Sequence, residues 1–168
     1  MVLMNKTGQL AYIGLGSNLQ QPVQQVQRAL QALQTLPESE LIKHSPLYRS
    51  TPLSGNQQPD YINAAAMLRT SLTPWALLDA LQAIEQQQGR IRTAERWASR
   101  SLDLDMLLYA DYRSDDPHLT LPHPELYNRA FVLYPLYDCH PDLILPNGQA
   151  LAQLVHTCSA AGLSRISP

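Results

Sequence analysis

The stretch Ser101-Leu102-Asp103-Leu104-Asp105-Met106-Leu107-Leu108-Tyr109 constrains the fold more than any other. Side chains alternate faces along a strand, so Leu102, Leu104 and Met106 enter a core while Asp103 and Asp105 point the opposite way, roughly 7 Å apart along the backbone. Two neighbouring carboxylates repel, and burying either without a partner is costly. A cation relieves both costs. Hard oxygen donors suit magnesium, which takes one or two carboxylates and completes its shell with water and substrate phosphate. The same pair also fits a solvated strand face carrying two acids. Immediately before it, Arg90, Arg92, Arg96 and Arg100 stand against Glu95 alone, a local charge of +3 in a chain of net charge -2. Guanidinium forks match phosphate oxygens. Magnesium carboxylates beside several arginines are what polyphosphate transfer requires. A solvated basic loop paired with Glu85 and Glu95 is the alternative. The adjoining acids and arginines, with Trp97 between them, favour a phosphate site.

The rest of the chain alternates strand-like and helix-like segments. Leu10 to Asn18 reads as a strand, with Gly14-x-Gly16-Ser17-Asn18 as a tight strand-to-helix turn; the third glycine of a dinucleotide fingerprint is missing. Val23, Val26, Leu30, Leu33 and Leu36 form one helical stripe from Pro22 to Leu36. Leu41 to Tyr48 is strand-compatible. Ser50 to Asp60 is a loop of turn formers, long enough to expect a functional role. Tyr61 to Thr70 is a strand that puts Tyr61 and Asn63 on one face. Thr73 caps a helix opened by Pro74, with Leu77, Leu78, Leu81 and Ile84 buried and Gly89 ending it. Asp111 to Pro117 reads as a polar turn and Leu119 to Pro122 as a short edge segment. Arg129 to Tyr137 reads as a helix broken by Pro135, and Ala150 to Thr157 as a closing helix. The pattern predicts a single α+β sandwich domain over residues 1–168, a mostly antiparallel sheet with helices on one side.

Several function classes are excluded or disfavoured. A net charge of -2 argues against a protein that coats nucleic acid. An RNA-binding sheet would need aromatic central strands and a basic face, whereas aromatics are 7% and the key strand presents acids. No apolar run approaches the roughly 20 residues of a membrane span, and residues 1–10 do not read as a secretory signal. Two cysteines are too few for a disulfide framework or a zinc site. The expectation is a soluble cytoplasmic protein with reduced thiols. The phosphate-cradling Gly-x-x-x-x-Gly-Lys-Ser/Thr loop is absent, which excludes an ordinary nucleotide-triphosphatase. Asn63 could read the edge of a heterocycle or satisfy local backbone. His123, stiffened between Pro122 and Pro124, could donate to phosphate or be structural. The other histidines have no ligand-like spacing.

The motifs, in order, are Gly16-Ser17-Asn18, Tyr61-Ile62-Asn63, Glu85-Gln86-Gln87-Gln88-Gly89-Arg90, Arg96-Trp97-Ala98-Ser99-Arg100-Ser101-Leu102-Asp103-Leu104-Asp105, Pro122-His123 and Asn128-Arg129-Ala130-Phe131. From about Ala11 to Gly148 the chain thereby resembles the 6-hydroxymethyl-7,8-dihydropterin pyrophosphokinases of folate biosynthesis. The resemblance implies a ferredoxin-like α+β sandwich, a monomer, and transfer of the β,γ-pyrophosphoryl group of ATP to the pterin hydroxymethyl with release of AMP. Charge and hydropathy, as above, lead us to expect no nucleic-acid or membrane partner. Asp103 and Asp105 would hold two magnesium ions. Arg90 and Arg100 would act on the transferring group. The pterin would lie among Ser50, Thr51, Leu53, Tyr61, Asn63, Trp97 and Phe131. ATP would be held by Leu78, Gln82, Glu85, Arg92, Arg96, Trp97, Arg100, Met106, Thr120, His123 and Arg129. The loops around Ser50 to Pro59 and Arg90 to Ser99 would close over both substrates. The chain departs from the family pattern at Ala98-Ser99, which replaces Gly-Pro, at Thr93, where a basic residue is usual, and at Pro124, which removes an aromatic contact.

Overall fold

The computed structural model describes residues 8–52, 58–89 and 102–166. Strands β1 (Gln9–Ser17) and β4 (Tyr61–Thr70) run antiparallel through the middle of the sheet in unbroken register, from Gln9 opposite Thr70 to Ser17 opposite Ile62. Strand β5 (Asp103–Tyr109) pairs with the other edge of β1. Strands β2 (Ser39–His44) and β3 (Tyr48–Ser50) pair successively along β4, and a last strand, Leu163–Arg165, pairs with β3. Every pairing in this sheet is antiparallel.

Alternation along these strands builds two cores. One face carries Ile13, Leu15, Ile62, Leu68, Leu104 and Met106, covered by helices α1 (Pro22–Gln34) and α2 (Pro74–Gln87) through Val26, Leu30, Leu33, Leu77, Leu81 and Ile84. The other face carries Tyr12, Leu107 and Leu108 under α3 (Ala130–Cys139) and α4 (Leu151–Thr157), with Leu133, Leu136 and Leu151 fully buried. The expected one-sided layering is therefore corrected: helices cover both faces, because Tyr12, Met67 and Leu108 make the second face apolar as well. A β-bulge contributes. Tyr12 pairs with Leu108 and Ile13 with Met106, so Leu107 is an extra residue. The bulge sends Leu107 and Leu108 to the same face.

Local chemistry explains most boundaries. Thr73 Oγ1 accepts the Ala76 N–H at 3.1 Å, with Pro74 in the first turn. Gly89 follows α2 at φ +89°, a backbone region that favours glycine. Three other expectations need correction. Pro135 does not break its helix; α3 is continuous through it. An interior proline costs about 3 kcal/mol, but burying Leu133 and Leu136 returns about 1.5–3 kcal/mol each. Leu41 to Tyr48 is not one strand. At its joint Ser45 donates its N–H to Ala65 O at 2.8 Å and accepts the Ala65 N–H on Oγ at 2.9 Å. The polar turn after β5 contains β6 (Ser114–Asp116), which forms a hairpin with β7 (Leu119–Leu121).

The final strand, β8 (Leu163–Arg165), has no counterpart in the sequence pattern. It is held by Arg165 Nη2, which donates to Asp138 Oδ1 at 2.9 Å while its guanidinium lies 5.6 Å from the Tyr48 ring centre. The Tyr48 hydroxyl donates to the other Asp138 oxygen. Both cysteines are free thiols. Among the described residues no helix is long and apolar enough to cross a membrane.

Candidate active site

The second sheet face is apolar only over part of its length. Elsewhere its inward positions are small or polar: Gly14 and Gly16 on β1, Asn63 and Ala65 on β4, Asp103 and Asp105 on β5. Here a cavity of about 210 Å³ opens. The two glycines lie inside β1, not in a turn, which corrects the expected strand-to-helix turn. A Cβ on Gly14 would stand 3.4 Å from Leu107 Cδ2, and one on Gly16 would stand 3.3 Å from Asn63 Nδ2. The floor is thus backbone, and its low relief is what leaves the space.

Distant elements supply the walls. Ser50, at the end of β3, and Thr51 reach the cavity beside Tyr61 and Asn63. The Ser50 hydroxyl donates to Asn63 Oδ1 at 2.6 Å, both groups being buried. That bond fixes the amide plane and turns Nδ2 toward Gly16, where it can meet an acceptor on a flat ring. Phe131, in the first turn of α3, gives the cavity an aromatic wall. Behind it a second cavity of about 290 Å³ borders the first through Ser50, Thr51, Arg129 and Phe131 and ends against Cys158 to Leu163.

The carboxylate side is equally defined. Asp103 and Asp105 pair across from Gly16 and Gly14 and line the cavity. Leu104 between them donates its N–H to Glu85 Oε2 at 2.8 Å. Glu85 is only 3% exposed, so a carboxylate of α2 holds β5 at the point flanked by both acids. Among the described residues no cluster of three or more His, Cys, Asp or Glu could enclose a metal. Two carboxylates lining one cavity fit magnesium, which keeps waters and takes substrate phosphate as a ligand.

His123 donates its N–H to Leu107 O at 3.0 Å and accepts the Glu125 N–H on Nδ1 at 3.1 Å. The neutral ring must then carry its proton on Nε2. Burial pushes its pKa below the ordinary 6.5, with Asp103 and Glu125 pulling the other way. Arg129 Nε donates to Glu125 Oε2 at 2.7 Å. The arrangement can seat a flat polar ring on the glycine floor, a divalent ion on the acids, and phosphate oxygens on His123 and Arg129.

The residues expected from the sequence divide into three groups. Ser50, Thr51, Tyr61, Asn63, Asp103, Asp105, His123, Arg129 and Phe131 meet at the one cavity. Leu78, Gln82, Glu85, Met106 and Thr120 do not line it. Met106 is buried in the opposite core, since it alternates with Asp105, and Thr120 Oγ1 donates to Asp116 O at 3.0 Å. Leu53, Arg90, Arg92, Arg96, Trp97 and Arg100 lie outside the described residues. Sequence reasoning missed Leu107, Glu125 and Val132 as cavity residues and reached Gln58 only as part of the loop expected to close over the substrates. Only Glu125 carried a local signal, its spacing of four from Arg129.

Comparison with known proteins identifies the family. Residues 12–141 match the family model described as 7,8-dihydro-6-hydroxymethylpterin-pyrophosphokinase. A Pseudomonas aeruginosa protein named 2-amino-4-hydroxy-6-hydroxymethyldihydropteridine pyrophosphokinase is 50% identical over 158 residues, covering 94% of this chain and 97% of its own. The Haemophilus influenzae protein of the same name is 45% identical, covering 94% and 98%. Among solved structures, a Plasmodium falciparum HPPK-DHPS triple mutant with pteroate superposes with a TM-score of 0.73 at 12% identity. The match covers 98% of this chain and 48% of that one, and at such identity it speaks for the fold alone.

Proposed function

The chain belongs to the 7,8-dihydro-6-hydroxymethylpterin-pyrophosphokinase family, and from that premise we propose that its pterin and ATP meet in the cavity on the second sheet face. The reaction transfers the pyrophosphoryl group of ATP to 6-hydroxymethyl-7,8-dihydropterin, giving AMP and the pterin diphosphate, a step of folate biosynthesis. The observation that carries the site assignment is the placement of the Ser50-locked Asn63 amide and the Asp103–Asp105 face in one cavity.

Asn63 reads the edge of the pterin, with Ser50, Thr51, Leu53, Tyr61, Trp97 and Phe131 around the ring. Asp103 and Asp105 would hold two magnesium ions, which when bound would supply positive charge against the polyphosphate. Glu85 keeps the two acids in place through the Leu104 backbone. His123 donates from Nε2 to a phosphate oxygen, and Arg129, Arg92 and Arg96 bind the nucleotide. Leu78, Gln82, Met106 and Thr120 do not line the cavity; as adenine contacts they would serve the part of ATP that extends beyond it, Met106 through its backbone because its side chain is buried. Arg90 and Arg100 meet the charge that develops as the pterin hydroxyl oxygen bonds to the β-phosphorus and the bond to the AMP oxygen breaks. The enzyme works as a cytoplasmic, single-domain monomer.

Product analysis tests this reading. Incubating the chain with ATP, magnesium and the hydroxymethyl-dihydropterin should yield AMP and pterin diphosphate in equal amounts. ADP as product would overturn the assignment. Chelation should stop turnover and added magnesium restore it; turnover that survives chelation would remove the metal from the scheme. Light scattering in solution should give the 18.8 kDa of one chain.

A further inference from the structure

The turn between β7 and α3 is anchored at two points. The His123 N–H donates to Leu107 O on β5, and Leu126, fully buried in the second core, donates its N–H to His123 O at 3.1 Å. From this turn His123, Glu125 and Arg129 all face the cavity. Glu125 touches both of the others. Its carboxylate accepts the Arg129 Nε–H at 2.7 Å, and its own N–H donates to His123 Nδ1 at 3.1 Å.

Two considerations separate this contact from ordinary surface decoration. The side chains are 39% and 23% exposed, and ion pairs at such exposure contribute little to folding. A carboxylate beside a polyphosphate site would by itself repel the substrate. Its contribution must then be to orientation. Arginine has a long, rotamer-rich side chain, and ordering it in advance removes a cost from binding. With Nε engaged, the guanidinium plane is set and its two terminal nitrogens are the ones presented to a ligand.

We propose that Glu125 is a positioning residue for ATP: its carboxylate aims the terminal nitrogens of Arg129 at the phosphates, and its backbone N–H keeps the Nε2 proton of His123 directed to the same group. This rests on the reading of His123 and Arg129 as ATP ligands. It adds a residue whose own charge opposes the substrate.

The test is calorimetric titration with magnesium-ATP alone, beside steady-state kinetics. Glu125→Ala should weaken ATP binding and raise its KM about tenfold, with kcat at saturation and pterin affinity held. Glu125→Gln, whose amide oxygen can still accept the Nε–H, should recover most of the loss. On an Arg129→Ala background, Glu125→Ala should add no further loss. The side chain's exposure means that removing it leaves no core cavity, so thermal melting of both variants should match the parent. Unchanged or tighter ATP binding by Glu125→Ala would overturn the proposal. So would equal losses for ATP and pterin, a Gln variant as weak as the Ala variant, or additive losses with Arg129→Ala. A parent chain that binds no ATP would sink the reaction assignment together with this proposal, whereas normal ATP binding by the parent with an indifferent Glu125→Ala would sink this proposal alone.

Discussion

The two faces of the sheet are built from the same three strands and differ by one residue of phase. On the first face β1 offers Ala11, Ile13 and Leu15, and these close completely under α1 and α2. On the second face it offers Tyr12, Gly14 and Gly16, and only the Tyr12 end is packed. A core and a cavity can therefore lie back to back a single backbone apart. The first face is filled to exclude water. The second is thinned to glycine and alanine over half its length, and that thinning leaves the cavity. This division predicts that mutations on the first face act on stability and mutations on the second act on substrates.

The largest expected effect would come from the second face. Asp103→Ala and Asp105→Ala should each lower turnover by roughly a thousandfold or more, several kcal/mol of transition-state stabilisation. Both variants should still fold, as a cooperative thermal melt would show. Near-native turnover at saturating magnesium would break the assignment. Next comes a control from the first face. Leu33→Ala, at a fully buried position of α1, should cost about 2–5 kcal/mol in denaturant unfolding and leave kcat/KM of the folded enzyme unchanged. A shift in pterin affinity would show that the faces are not independent.

Smaller effects sharpen the boundary within the cavity. Asn63→Ala should weaken pterin binding by about 1–3 kcal/mol if it leaves a buried partner unpaired, with ATP binding intact in separate calorimetric titrations. Gly16→Ala places a Cβ 3.3 Å from Asn63 Nδ2, so the amide must give way; a loss of about 1 kcal/mol, confined to the pterin, is expected. The smallest effect at neutral pH lies at the packed end of the second face. Burial pushes the Cys139 thiol from 9.0 to about 12 and the Tyr12 hydroxyl from 10.0 to about 12. The unfolded chain releases these protons first, so stability is full below about pH 9 and falls as the pH climbs toward 12. Cys139→Ala and Tyr12→Phe should each flatten that slope in unfolding titrations. An unchanged slope in both would remove burial as its cause.

How much of this was legible depended on whether the signal was local. The strand from Tyr61 to Thr70 and the helix after Thr73 carry their own periodicity and caps, and both are where the pattern places them. Asp103 and Asp105 stand out because acids interrupt an apolar strand. Gly14 and Gly16 did not read correctly, because glycines in a short window look like a turn. Their role is to be absent opposite Asn63 and Leu107, which come from distant strands. The continuity of α3 through Pro135, the joint at Ser45 and the pairing of β8 with β3 are tertiary in the same sense. Each is decided by a partner many residues away. Glu125 shows the limit: a spacing of four hints at an ion pair, but only the turn around buried Leu126 turns that pair toward the cavity.

The bond from Leu104 to Glu85 also makes the site observable. Among the described residues β5 is the outermost strand beside β1, and outward amides of such a strand ordinarily trade their hydrogens with water. The Leu104 amide instead rests on a buried carboxylate, midway between the two acids. In a deuterium-exchange experiment it should persist long after its outward neighbours have faded. A single slow resonance would then report, without any ligand or turnover, whether the strand bearing both aspartates is seated.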